Sequence, residues 1–71
     1  MNTLQKQMME RYQWQKEFEE RYHNPDRLLH LWNNFFLTHQ TELDYHPWYQ
    51  DFHRKVYERY EELAHEMAMS V

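Results

Sequence analysis

The chain has 71 residues, a formal net charge of −4 and a mean hydropathy of −1.24, with three tryptophans, six tyrosines and four phenylalanines but no glycine and no cysteine. A chain of this size buries only about 60% of its unfolded surface, and without cysteine it has no disulfide or Cys-containing zinc pattern to help, so large buried aromatics and a second subunit are the remaining supports. The same absences exclude glycine-rich phosphate-binding loops and a cysteine nucleophile.

Asn24-Pro25 and His46-Pro47 divide the chain, because proline suits the first turn of a helix and disfavours helix in the residue before it. Three helices are expected, at about 3–23, 25–39 and 47–68, forming an all-α, compact three-helix domain with an aromatic-rich core over residues 1–71. In the first, Leu4, Met8, Tyr12, Trp14, Phe18 and Tyr22 recur at helical spacing and read as one apolar stripe, with Thr3 as the cap. The second carries Leu28, Leu29, Leu31, Trp32, Phe35 and Phe36, an apolar arc too wide for a single neighbour, which makes it the central helix. After a linker at 40–46, the third shows a coiled-coil-like 4-3-4-3-4 series at Tyr49, His53, Val56, Tyr60, Leu63 and Met67. Short connections imply neighbouring helices that pack antiparallel or at a steep angle.

Charge is unevenly placed. Residues 1–41 are balanced, whereas after Thr41 seven acids face only Arg54, Lys55 and Arg59. Direct nucleic-acid binding therefore lacks its usual basic face. Glu58, Glu62 and Glu66 follow one another at i, i+4 near a helix C-terminus, where both like-charge spacing and the helix dipole disfavour them. Such a stripe suits a basic patch on another macromolecule, or simply keeps an aromatic-rich protein in solution.

Six histidines raise the question of metal. Glu20-Arg-Tyr-His23 and Glu62-Leu-Ala-His65 have the Glu-x-x-His spacing of di-iron bundles, but both lie away from the apolar stripes, which favours a solvated surface. His53 falls on the seam as a satisfied edge histidine or a pH-sensitive contact, while His30, His39 and His46 have no special role. Serine occurs once, at Ser70, and Thr3, Thr38 and Thr41 read as caps or turn residues, so nucleophilic catalysis has few parts.

The expected function is a small non-catalytic regulator, adaptor or inhibitor, without metal or cofactor, that binds protein through an acidic and apolar helical surface: Glu58, Glu62, Glu66, Leu37, Trp48 and Tyr57. The expected partners are a larger protein with a basic patch and, as the second option, a copy of the same chain in a homodimer. The alternative is a metal-binding helical protein using the Glu-x-x-His pairs. A peripheral membrane role is opposed by the negative charge, and the run from Leu28 to Leu37 is far shorter than the roughly 20 residues needed to span a bilayer. A cytoplasmic location follows as an expectation.

Overall fold

The computed structural model describes residues 2–69, which are helical with four segments: α1 (Thr3–Glu20), α2 (Pro25–Thr38), α3 (Gln40–Leu43) and α4 (Pro47–Met69). The all-α class and aromatic core expected from the sequence are present. Three helices become four, because the linker after Thr38 winds into the single turn of α3. Ser70, the lone serine, lies outside the described residues.

Each main helix starts on a polar cap. Asn2, rather than Thr3, opens α1, its Oδ1 accepting the Leu4 N–H at 2.9 Å. Asn24 Oδ1 accepts the Arg27 N–H at 3.1 Å, and Pro25 follows at a position where no amide proton is needed. No described residue has positive φ, so the glycine-free chain turns its corners without the left-handed geometry that usually ends helices.

The core is built from Trp14 and Phe18 of α1, Leu28, Leu31 and Phe35 of α2, and Tyr49, Phe52, Val56 and Leu63 of α4. Phe35 sits at its centre with no exposed surface, 4.8 Å from the Phe52 ring and 5.0 Å, edge-on, from Trp14. Trp32 lies against His53 and Tyr57, and Phe35 against Tyr49, so α2 runs antiparallel to α4.

α1 runs parallel to α4. Arg11 lies over Trp48, Lys55 Nζ donates to Gln15 at 3.0 Å, and Arg59 Nε donates to the Tyr22 carbonyl at 2.8 Å while stacking on the Tyr22 ring. This pairing corrects the α1 stripe. Trp14 and Phe18 are buried, but Leu4 and Met8 project beyond the start of α4, and Tyr12, two residues or about 200° of helix from Trp14, points to the opposite side of α1, so all three remain mostly exposed. Met67 is likewise exposed at the other end, since α4 outruns α2 by nine residues, about 13 Å of helix. The result is 52 × 23 × 16 Å, with a radius of gyration of 13.5 Å against about 11 Å for a compact chain of this length.

Candidate functional site

The densest polar cluster lies where α1, α2 and α3 meet, at His39. This residue ends α2, its amide bonding to the Phe35 carbonyl, and its ring is only 6% exposed. It packs on Tyr49 at 4.6 Å and Phe35 at 5.1 Å. Trp14 Nε1 donates to His39 Nε2 at 3.1 Å, and Glu10 Oε1 stands 3.0 Å from the same nitrogen. Glu42 Oε1 lies 3.4 Å from Nδ1, a charge contact without hydrogen-bond alignment.

One nitrogen cannot both receive the indole proton and donate to a carboxylate. A neutral ring protonated on Nδ1 accepts from Trp14 and turns its N–H toward Glu42. An imidazolium instead faces both carboxylates with N–H groups and leaves the indole without an acceptor. Either state ties α1 to the α2–α3 corner. The two carboxylates stand at opposite edges of the ring, so one metal ion bound through a single nitrogen could not take both. The expectation that His39 has no special role is therefore corrected: it is the polar pin of the helix junction.

Arg11 extends this junction. Its guanidinium lies 5.4 Å from the Trp48 ring centre and 5.6 Å from that of Tyr49, and its NH2 is 3.1 Å from His46 Nε2. The Trp48 amide approaches His46 Nδ1 at 3.3 Å. When neutral, His46 has one lone pair for these two donors, so it too has a local role at the start of α4.

His53 is stacked flat on Trp32, with centroids 4.5 Å apart, and its Nε2 is buried without a hydrogen-bond partner. Burial lowers its pKa below 6.5 because the imidazolium would lose solvent.

The six surface residues singled out from the sequence do not form one site. Trp48 is half-buried and stacks on Phe52 with a 7° tilt, placing it at the first turn of α4, whereas Glu66 lies 18 residues further along the same helix, about 27 Å away. Glu58 is 3.6 Å from Arg54, and Glu62 is 3.7 Å from Arg59, so cations of the same helix partly offset the acidic stripe. Glu66 is exposed. Leu37 is 61% exposed on the outer side of α2, and Tyr57 leans on Trp32 and Tyr60 at the α2–α4 rim.

One residue of each Glu-x-x-His pair, His23 and Glu62, meets Arg59. Arg59 NH2 is 3.3 Å from His23 Nδ1 and its NH1 faces Glu62. Among the described residues, no three His, Asp or Glu side chains are grouped to hold a metal ion. Among them, too, no helix is long and apolar enough to cross a membrane.

One exposed apolar row consists of residues that sequence periodicity assigns to the core stripe. Leu4, Met8 and Tyr12 form an i, i+4, i+8 ridge along the free half of α1, 59%, 59% and 65% exposed, with Met9 beside them. A shallow groove joins the ridge to the rest of the molecule through Met8, Arg11, Tyr12, Gln15 and Trp48. Comparison with protein families, characterised proteins and solved structures finds no match to this chain.

Proposed function

We propose that the chain is a small non-catalytic docking module that binds a larger protein, with the free ridge of α1 as its principal contact. The observation that carries this reading is the contiguity of Leu4, Met8, Met9 and Tyr12 on a helix that leaves them uncovered. Isolated exposed apolar side chains are ordinary, whereas a continuous row of them marks an interaction surface. Methionine and aromatic side chains are also enriched at interfaces, and methionine adapts its shape to a partner. The groove ending at Trp48 continues this apolar surface onto α4.

The acidic stripe of Glu58, Glu62 and Glu66 favours a partner with a basic surface, steering encounter more than it adds affinity. A partner that reaches from α1 to the end of α4 would engage both. The regulator, adaptor and inhibitor roles all follow from occupying such a surface.

The test is co-purification of the tagged chain from extracts of its native cells, using two variants. Leu4→Ser with Met8→Ser and Tyr12→Ser is expected to abolish capture of one larger protein at fixed stoichiometry. Charge reversal of Glu58, Glu62 and Glu66 to Lys is expected to weaken capture and flatten its salt dependence. Undiminished capture by the folded ridge variant would overturn the reading.

A further inference from the structure

Two groups of α1, one helical turn apart, compete for a single nitrogen of His39. Trp14 Nε1 approaches Nε2 at 3.1 Å, and Glu10 Oε1 lies 3.0 Å from the same atom. The other edge of the ring is settled by Glu42, whose Oε1 stands 3.4 Å from Nδ1. A carboxylate repels a lone pair and favours an N–H, so Nδ1 carries a proton whether the ring is neutral or charged. Nε2 is therefore the atom that gains and loses a proton. Its two α1 neighbours need opposite things of it: the indole needs a lone pair, and the carboxylate needs an N–H.

The elements around His39 differ in what they present. α1 brings Glu10, while the next residue, Arg11, turns to the rings of Trp48 and Tyr49. α3 brings Glu42. α4 brings Tyr49, packed on the imidazole at 4.6 Å, with His46 5.0 Å away on Tyr49. α2 brings Phe35, beyond which His53 lies at 6.0 Å, and it has no Asp, Glu, Lys or Arg from Leu28 to Thr38. The two charged groups that touch the ring are both carboxylates.

We propose that His39 is a proton-operated coupling whose Nε2 passes from Trp14 to Glu10 when the ring gains its second proton, moving the polar anchor of α1 one turn toward Leu4 and Met8. In the neutral state the indole bond holds. Glu10, its side chain 43% exposed, then turns its charge to water rather than face a lone pair. When a proton from water adds to Nε2, the new N–H opposes the indole N–H, so the Trp14 bond breaks and a charge-assisted bond to Glu10 forms.

Trp14 stays in the core through its edge-on contact with Phe35 at 5.0 Å, so the helix is not released. What moves is the point from which α1 is held: Trp14 in the neutral state, Glu10 in the charged one. Met8 and Met9 lie immediately before Glu10, so acidification stiffens the base of the free ridge. That use of the coupling rests on the docking reading of the ridge, whereas the exchange of partners does not.

Nuclear magnetic resonance of the full chain between about pH 8 and pH 5, the range in which histidine changes charge, tests the exchange. The His39 ring nitrogens are expected to show Nδ1 protonated throughout and Nε2 changing from acceptor to N–H. The Trp14 indole proton is expected to shift, and to exchange with water several-fold faster, along the His39 titration curve rather than those of His46 or His53. The Glu10 carboxyl carbon should follow the same curve. Protection factors of the amides of residues 11–14, which bond to the carbonyls of the turn ending at Glu10, are expected to rise several-fold as His39 is protonated. Glu10→Ala, at a largely exposed position, should keep the indole change and abolish the gain in protection.

A ring whose protonation does not change over this range, an Nε2 that already carries the proton in the neutral ring, a Trp14 indole indifferent to His39, or a gain that persists in Glu10→Ala would each overturn the proposal. All these readouts come from the isolated chain. Loss of partner capture beside an intact exchange would sink the docking reading alone.

Discussion

Trp14 and His39 are joined by a buried 3.1 Å hydrogen bond that spans 25 residues of chain, and the nitrogen that accepts it also faces Glu10. The indole N–H sits in a residue only 8% exposed, so its alternatives to His39 are few.

His39→Phe is accordingly expected to destabilise the domain by about 1–3 kcal/mol, the cost of stranding a buried donor. His39→Gln keeps an acceptor on a flexible side chain and should lose less. Urea unfolding followed by tryptophan fluorescence distinguishes the two, and equal losses would show that the ring's packing, not its nitrogen, matters.

Phe35 is the residue the core can least spare. It has no exposed surface and touches rings from both α1 and α4. Phe35→Ala should cost about 3–5 kcal/mol. Small domains have little stability to lose, so the variant is expected to show a broad or absent thermal transition by circular dichroism.

His53 sets a pH dependence whose sign follows from its lowered pKa. Between the folded value and the ordinary 6.5, the unfolded chain binds the proton more readily than the folded one. Its contribution to stability is therefore complete above pH 6.5 and is lost as pH falls through the folded pKa. His53→Phe preserves stacking on Trp32 and should remove this part of the acid destabilisation. An unchanged difference in unfolding free energy between neutral and acidic pH would contradict the assignment.

The free half of α1 is held by its cap and by little else. Amides from Leu4 to Glu10 should exchange with solvent faster than those from Trp14 onward, since local opening there exposes no core residue. Asn2→Ala is expected to destabilise the helix in this stretch by about 1 kcal/mol while leaving the global unfolding midpoint nearly unchanged. Two-dimensional NMR exchange measurements read both effects.

Much of this architecture is legible along the chain. The Asn-Pro and His-Pro steps place two helix starts to the residue, and the apolar arc of α2 marks it as central because Leu28, Leu31 and Phe35 recur at helical intervals. The seam of α4 is real at Tyr49, Val56 and Leu63, and runs out at Met67 where α2 is too short to cover it. Periodicity shows which side of a helix is able to be buried, but not how far a neighbour reaches, so Leu4 and Met8 read as core; Tyr12 joins their row by i, i+4 spacing although it lies about 200° of helix from Trp14. α3 is one turn long and too short to have a period. The His39 cluster depends on Glu10 and Trp14 from a distant helix, and its local signal, His39 and Glu42 at i, i+3, is common on any helical surface.

The parallel arrangement of α1 and α4 has a consequence for the order of assembly. The bonds that tie α1 to α4 and its first residues join positions 35, 37 and 40 apart, and that to His39 spans 25, whereas α2 meets α4 through the short corner formed by α3. Loop-closure entropy therefore favours an α2–α4 hairpin as the early structure, with α1 docking onto it afterwards. On the ribosome α1 emerges before either of its partners, and the part of its seat that α4 supplies is incomplete until Arg59 has been added. Until α2 and α4 follow it, α1 has Trp14 and Phe18 as bare as Leu4 and Met8, and the nascent helix offers a chaperone a continuous apolar side that the finished fold exposes only in part.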